Sequence, residues 1–110
     1  MTVKLFAEKT GFGVLCMPSP EREIGDIYVG DLLSWVMGKA KADDLWITIM
    51  SNLNVVAVAT LADVSCILLA EDVSPDSDTI KTAEAKGVNI LKTTLSAYRA
   101  AMRAAKEVNE

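Results

Sequence analysis

Three short apolar segments in the last two thirds of the chain constrain its fold more than any other feature. They are DLWITIM (44–50), SCILLA (65–70) and VNILK (88–92). Strands that lack polar alternation are buried on both faces, as in a parallel sheet covered by helices on each side. Each segment is followed by polar residues and then by a segment with helical spacing. This alternation predicts an α/β layered domain.

Two earlier segments, GFGVLCM (11–17) and IGDIYV (24–29), are also typical of strands. A short helix capped by Thr2 precedes them, and apolar residues at helical spacing predict an amphipathic helix over residues 31–40. The sequence therefore predicts one domain over residues 1–110, with a mostly parallel sheet of about five strands.

The segment between the first two buried strands carries conflicting signals. Its valines, Val55, Val56 and Val58, favour a strand locally. Its position favours a helix, because two parallel neighbouring strands need a crossover connection that is usually helical. We predict a helix over Asn54 to Ala62, and a strand over the same residues remains the alternative.

Two more helices are predicted toward the C-terminus. Ser74, Pro75 and Asp76 match the order of an N-cap, a first helical proline and a first-turn acid, so a helix should run from there to Lys86. The segment 93–107 predicts a terminal helix. Its apolar face is expected to consist of Leu95, Tyr98, Met102 and Ala105. Its solvated side is expected to carry Arg99, Arg103 and Lys106, and residues 108–110 are expected to fray.

The residue types present exclude several classes of protein. The chain contains no histidine, which excludes Ser-His-Asp and Cys-His catalysis and removes the commonest zinc ligand. The formal net charge of −4 gives no basic field to attract nucleic acid or anionic lipid. No apolar run reaches the roughly 20 residues of a membrane span. We therefore expect neither a nucleic-acid partner nor a membrane.

The two cysteines, Cys16 and Cys66, have no CxxC spacing. Without a secretory leader they indicate a reduced, cytoplasmic protein in which both thiols are small core residues. A phosphate-binding loop is also disfavoured. Seven residues rather than four separate Gly30 from Gly38, and Ala40 has no hydroxyl for a metal ion. No cofactor is expected.

A run of acids follows the strand at 65–70, formed by Glu71, Asp72, Asp76 and Asp78. Asp76 and Asp78 fall in the first turn of the next predicted helix, where the helix dipole stabilises a carboxylate. Glu71 and Asp72 lie in the loop before that helix, and two acids are far fewer than the roughly six to eight oxygens that calcium needs. We expect a solvated loop and assign no metal ligand.

Polar residues occupy three junctions between a strand and the helix that follows it. They are Ser51 and Asn52, then Glu71, Asp72 and Ser74, then Thr93 and Thr94. Loops at the carboxyl ends of parallel strands meet at one edge of the sheet, where ligands usually bind, so these residues form a candidate ligand-binding site. Free backbone N–H groups at helix starts favour an anion there, whereas Glu71 and Asp72 oppose one. Simple helix capping by Ser, Asn and Thr is the competing interpretation.

The order of these segments resembles the DRTGG domain family, in particular its short members labelled HPr serine kinase-like. The similarity runs through YVGDLLSWVMGKAKADDLWITI (28–49), NVVAVATLADVSCILLAED (54–72) and PDSDTIKTAEAKGVNILKTTLSAYRAA (75–101). The resemblance implies a three-layer α/β/α domain similar to the non-catalytic N-terminal domain of HPr kinase/phosphorylase. It also implies a regulatory or interaction module, found alone or beside CBS domains, and linked in some members to dimer formation or nucleotide-dependent regulation.

The sequence departs from the family pattern after the strand at 65–70. The letters DRTGG do not occur, and Ala70, Glu71 and Asp72 stand where members of the family carry a Thr-Gly-Gly type of turn. Glycines let backbone N–H groups approach a phosphate closely, whereas carboxylates repel it. The acids are therefore expected to form a solvated turn or to contact a cationic group on a partner.

Three functions follow as hypotheses. The leading one is a non-catalytic regulatory or protein-interaction domain, homodimeric, with a small-ligand site at the strand ends. The dimer rests on the resemblance and on the abundance of apolar side chains, and Trp35, Trp46 and Met37 are assigned to the core or to a subunit interface. The alternative is a nucleotide or dinucleotide sensor. A metal-dependent enzyme using Glu71 or Asp72 ranks last.

Overall fold

The computed structural model describes residues 1–108 and places helices on both faces of a five-stranded sheet. In chain order the elements are α1 (Val3–Thr10), β1 (Gly13–Cys16), β2 (Ile27–Val29), α2 (Leu33–Lys39), β3 (Leu45–Thr48), α3 (Asn54–Ala62), β4 (Cys66–Leu69), α4 (Ser77–Lys86), β5 (Ile90–Lys92) and α5 (Ala97–Val108). The predicted α/β sandwich is confirmed. Of the residues expected to fray, Val108 ends α5 and residues 109 and 110 lie outside the described part of the chain.

The strand order in the sheet is β1-β5-β4-β3-β2. The pairs β2–β3, β3–β4 and β4–β5 are parallel, and β1 runs antiparallel to β5 at one edge. The sheet is thus mixed, with the parallel pairs in the majority as predicted. All residues of the central strands β3 and β4 are buried, because helices cover both of their faces.

The helices form two layers over two apolar clusters. Side chains of alternate strand residues point to opposite faces of a sheet. Trp46, Ile67 and Ile90 accordingly pack under α2, α3 and α4. Ile47 and Leu91 pack on the other face against α1 and α5. The layer formed by α2, α3 and α4 begins at the carboxyl ends of β2, β3 and β4, and this places three helix starts along one edge of the sheet.

The predicted helix over Asn54–Ala62 is confirmed as α3. Val55, Val56 and Val58 are buried in it, so tertiary packing outweighs the local preference of β-branched residues for strands. Asp63, in the left-handed conformation with φ 59°, ends the helix, and its N–H donates to the carbonyls of Ala59 and Thr60.

The predicted apolar face of the terminal helix is wrong for Tyr98 and Met102, whereas Leu95 does pack against the core. Ala100 and Ala104 are fully buried against the sheet, whereas Tyr98 is 70% and Met102 is 53% exposed. Alanine has almost no side chain, so a helix that turns alanines inward lies close to the strands and leaves no room there for larger residues. The sequence pattern followed the large apolar residues and missed this face.

The outward side of α5 carries cations as predicted. Arg99 and Lys106 are exposed, and Arg103 is half-buried. The Arg103 guanidinium donates to a Glu107 carboxylate oxygen at 2.6 Å and to the Lys9 carbonyl at 2.7 Å. The second of these bonds joins α5 to α1.

The two tryptophans have different surroundings. Trp46 is fully buried in the core, and its indole N–H donates to the Gly30 carbonyl at 2.9 Å. Trp35 is 60% and Met37 is 46% exposed on α2. Of the two predicted alternatives, the core is correct for Trp46. Trp35 and Met37 lie outside the core, because α2 lies at the sheet margin and turns only Val36 fully inward, and for them the subunit interface stays a prediction.

Candidate functional site at the carboxyl edge of the sheet

We use the term carboxyl edge for the side of the sheet at which β3, β4 and β5 end. The three predicted junctions follow these strands directly, and the strands are parallel neighbours. The structure therefore brings the junctions to one edge, as expected from the sequence. Within residues 1–108 no hydrogen bond joins Ser51 or Asn52 to the residues that follow β4 and β5.

Backbone hydrogen bonds fasten the loop after β4 to the loop after β5. Glu71 and Asp72 both adopt the left-handed conformation, with φ of 61° and 58°. Their N–H groups donate to the carbonyls of Leu95 at 2.8 Å and Thr93 at 2.9 Å. The amide donors that a phosphate would use in a glycine turn are thus already paired within the chain.

The carboxylate of Asp72 is paired with a lysine that the sequence analysis did not assign to the site. Lys92 Nζ lies 2.9 Å from Asp72 Oδ1 and donates to Ser74 Oγ at 3.0 Å. The position of Lys92 at the end of a predicted strand was the available signal. Glu71 is exposed and has no ion pair or hydrogen bond through its carboxylate among residues 1–108. Only one of the two loop acids therefore stays free.

The cap of α4 differs from the prediction. Asp76, rather than Ser74, is the N-cap, and its Oδ1 accepts a hydrogen bond from the Thr79 N–H at 2.8 Å. This bond and one with the Thr79 side chain lower the pKa of Asp76. A carboxylate is favoured at this position because it also interacts with the positive end of the helix dipole. Asp78 lies in the first turn as predicted.

Neither Thr93 nor Thr94 caps α5, which begins only at Ala97. Ser96 Oγ accepts from the Arg99 N–H at 3.3 Å instead. Thr93 is buried, and its Oγ1 accepts from the Leu95 N–H at 3.2 Å, whereas Thr94 is exposed. The helix starts late because the carbonyls of Thr93 and Leu95 are needed to hold the loop after β4.

The remaining junction, after β3, has only local bonds. Asn52 Oδ1 accepts from the Asn54 N–H at 3.0 Å, so Asn52 supports the start of α3, and Ser51 is half-buried beside it. Asp31, which the sequence analysis did not assign, fastens the neighbouring loop. Its Oδ1 accepts from Thr48 Oγ1 at 2.8 Å and from the Ile49 N–H at 3.0 Å.

A cleft of about 280 Å³ lies beside the end of β5. It is lined by Gly11, Phe12, Gly13, Lys92, Thr93 and Thr94. A Cβ added at Gly13 would lie 3.2 Å from the Lys92 Cγ, so glycine permits the close approach of the two strands there. Its polar lining consists of Lys92, whose ammonium already pairs with Asp72 and Ser74, the buried Thr93 and the exposed Thr94.

Chemically reactive groups are scarce in the described part of the chain. Burial raises the pKa of Cys16 to about 11 and raises that of Cys66 further above its usual range, so both thiols stay protonated at neutral pH. Residues 1–108 contain no group of three or more acids or cysteines placed to hold a metal ion. None of their helices has both the length and the apolar character needed to cross a membrane.

Comparisons with known proteins give a consistent result. The DRTGG domain family model matches residues 7–106. The fold is similar to a crystal structure of the CBS and DRTGG domains from the regulatory region of Clostridium perfringens pyrophosphatase, in complex with its activator diadenosine tetraphosphate. The TM-score is 0.72 at 10% identity, and the match covers 97% of this chain and 47% of that one. No curated protein matches the sequence significantly.

The family match spans nearly the whole chain, and the structural match independently reproduces the fold. The similar structure is the regulatory region of its own protein. At this low identity it supports the fold, and the chain spans just under half of that protein's length. By the family match, this chain belongs to the DRTGG domain family.

Proposed function

We propose that residues 1–110 act as one non-catalytic regulatory domain that works by contacting other protein chains, and that the domain is a cytoplasmic homodimer. One observation carries this proposal. Large apolar side chains remain exposed on the layer formed by α2 and α3. They are Leu32 (67%), Trp35 (60%), Met37 (46%), Leu53 (50%) and Leu61 (71%).

The surface of α2 illustrates the unusual exposure. The ring of Trp35 has the Lys39 ammonium 5.4 Å from its centroid, and a cation over a tryptophan face contributes only about 0.5–1 kcal/mol at an exposed site. Contiguous apolar patches larger than a few hundred Å² are uncommon on monomers and mark interaction sites. Tryptophan is also enriched at the centres of protein interfaces.

The non-catalytic part of the proposal is supported by how the polar groups are used. Asp72 pairs with Lys92, and Asp76 caps α4. Cys16 and Cys66 are buried with raised pKa values, and neither forms a disulfide. Unpaired thiols also fit a reducing compartment such as the cytoplasm.

The oligomeric state tests this proposal. Size-exclusion chromatography with light scattering should give twice the mass of the 11.8 kDa chain at micromolar concentration. Serial dilution should then convert the dimer to the monomer, as mass action requires. A strictly monomeric protein at every concentration would overturn the homodimer.

A sensor of nucleotides or dinucleotides is the second candidate. It is favoured by the cleft beside Lys92, Thr93 and Thr94 and by the diadenosine tetraphosphate bound in the similar regulatory region. The site expected from the sequence consists of Ser51, Asn52, Glu71, Asp72, Ser74, Thr93 and Thr94, and only the last two of these line the cleft. Against it, Glu71 and Asp72 place negative charge beside the cleft, and their backbone N–H groups are already paired.

Thermal denaturation with diadenosine tetraphosphate, adenine mononucleotides and divalent ions distinguishes the two candidates. A ligand present at a hundred times its Kd adds about 2.7 kcal/mol of stability. For a sensor that uses this cleft, Lys92→Met should abolish the shift, whereas Lys81→Met, which removes an exposed lysine from α4, should preserve it. No shift with any compound would leave the interaction domain as the function. A shift that persists in Lys92→Met would place the ligand elsewhere.

A further inference from the structure

Helix α3 is uncharged on all sides and mostly apolar, although only one side faces the core. Its sequence, NVVAVATLA, contains no charged residue. Val55, Val56, Val58 and Ala59 are buried against the sheet. A surface helix ordinarily turns polar residues toward water, and a helix that is apolar all round is ordinarily buried. The outward side of α3 therefore has the composition of a covered surface.

The outward side carries a regular stripe, which we call the α3 stripe and define as Leu53, Ala57 and Leu61. All three are exposed, and Leu53 has helical backbone angles although it precedes the first residue of α3. Residues four apart lie on the same face of a helix, about 6 Å apart along its axis. A cleft of about 270 Å³ runs between this stripe and Thr82 and Lys86 of α4.

We propose that a second copy of this chain covers the α3 stripe, with the two α3 helices packed antiparallel about a two-fold axis at Ala57. This inference rests on the proposed homodimer and specifies its contact. The stripe reads Leu-Ala-Leu in both directions, so a two-fold axis at Ala57 sets Leu53 against Leu61 of the partner subunit. The contact is then self-complementary, as the interface of a two-fold dimer must be.

The size of the side chains fits close helix packing. Ala57 at the centre allows the two helix axes to approach, and the leucines at either end fill the space on both sides. Ridges formed by residues four apart interdigitate in the commonest class of helix packing in globular proteins. The cleft beside α4 provides the groove that such a ridge enters.

The absence of charge favours a second copy over a charged ligand. Asn54 and Thr60, which flank the stripe, are also uncharged, so the two α3 helices meet without repulsion between like charges. Lys86 of α4 lines the adjoining cleft. A nucleotide or a strongly charged peptide could form no ion pair with α3, because this helix has no charged side chain. Since a stable interface buries about 800 Å² on each partner, the contact should extend onto the adjoining apolar surface of α2, where Leu32 and Trp35 are exposed.

Disulfide cross-linking tests the position of the axis. The native thiols, Cys16 and Cys66, are both buried, so Ala57→Cys places a single accessible thiol on the proposed axis. Mild oxidation at micromolar concentration should convert most of this variant to a covalent dimer, because a disulfide forms only when two Cα atoms lie within about 7 Å. Met102→Cys places a thiol at an exposed site on α5 and should remain largely uncross-linked.

A charge placed on the α3 stripe tests the contact independently. Leu61→Glu should raise the dimer Kd at least about tenfold, which corresponds to about 1.4 kcal/mol, while circular dichroism shows an unchanged fold. Met102→Glu, at a comparably exposed site, should leave the Kd unchanged. A monomeric natural chain would overturn both the homodimer and this contact. A dimer that persists in Leu61→Glu, together with no cross-link in Ala57→Cys, would overturn this contact alone.

Discussion

The carboxyl edge of the sheet and the outer surface of the α2 and α3 layer differ in how their chemical groups are used. At the edge, polar groups are numerous and mostly paired within the chain. Asp72 pairs with Lys92, Asp31 binds Thr48 and Asp76 caps α4. On the helical layer, the exposed groups are apolar and uncovered, from Leu32 and Trp35 to the α3 stripe.

The difference teaches that the kind of residue at a site does not reveal whether that residue is available. Ser, Thr and Asp after a strand are typical of binding loops and of helix caps alike. In this fold most of them are required to hold one loop against the next. The exposed leucines of the α3 stripe make no such bonds, and exposed apolar surface of this kind marks an interaction site.

The two adjacent threonines of the predicted site should respond in opposite ways. Thr93→Val removes the acceptor of the Leu95 N–H at a buried position and should lower the free energy of unfolding by about 1–3 kcal/mol. Thr94→Val, at an exposed position, should change it by less than about 0.5 kcal/mol. Urea-induced unfolding measures both. Equal losses of stability in the two variants would mean that the hydrogen bond between Thr93 and Leu95 does not stabilise the loop after β5.

The cap of α4 gives a pH-dependent prediction. Asp76→Ala should lower the melting temperature by about 5 °C at pH 7, because the Thr79 N–H loses its acceptor. The pKa of Asp76 is lower in the folded state than its usual value, chiefly through this bond. The ionised Asp76 therefore contributes its full stabilisation of the folded state above the unfolded-state pKa, near pH 4. This stabilisation is lost as the pH falls through the folded-state pKa.

Melting curves recorded from pH 7 down to pH 2 measure this effect. The difference between the natural chain and Asp76→Ala should narrow below about pH 4. Ser74→Ala serves as the control, because Ser74 is not the cap and should show a smaller, pH-independent difference. A larger loss of stability in Ser74→Ala would restore the cap assignment made from the sequence.

The helical layer should make stability depend on protein concentration. For a dimer, a tenfold increase in concentration should raise the melting temperature by about 3 °C, because association stabilises the folded state. Leu53→Glu, at one end of the α3 stripe, should remove this dependence. Met102→Glu on α5 should retain it. A melting temperature of the natural chain that does not change with protein concentration would contradict the homodimer.

The smallest expected effect concerns the left-handed residues at the edge. Glu71 has φ 61°, a conformation that costs a residue with a Cβ about 1–2 kcal/mol. Glycine avoids this cost but loses more entropy on folding, so Glu71→Gly should stabilise the chain by about 0.5 kcal/mol. Glu84→Gly, inside α4, should destabilise it by about 1 kcal/mol. Urea-induced unfolding of both variants beside the natural chain tests whether the two changes in stability have opposite signs.

Much of the fold was accessible from the sequence because the strongest signals were also local. Three apolar segments and the turns after them were sufficient for the parallel strands β3, β4 and β5, and the need for a crossover was sufficient for α3. The family resemblance is likewise confirmed by the match over residues 7–106. Two assignments failed for a shared reason. Ser74 and the large residues of α5 fitted their patterns, but a better cap lay at Asp76 and a closer-packing face at Ala100 and Ala104.

The candidate site was less predictable, because its chemistry depends on partners distant in sequence. Lys92 reaches Asp72 across neighbouring strand ends, and the carbonyls of Thr93 and Leu95 take the N–H groups of the preceding loop. Such pairs leave no periodic signal. The sequence showed that Glu71 and Asp72 would oppose an anion, and the paired N–H groups strengthen that expectation.

The sequence by itself determined the α/β alternation, the family, and the absence of histidine chemistry, since each depends on residue identity or on spacing along one segment. Only the tertiary structure decided which polar groups of the carboxyl edge are already bonded and which apolar residues stay exposed. The α3 stripe and the buried alanines of α5 show why. A helix has several sides of similar composition, and the side that packs is chosen by the shape of the sheet beneath it.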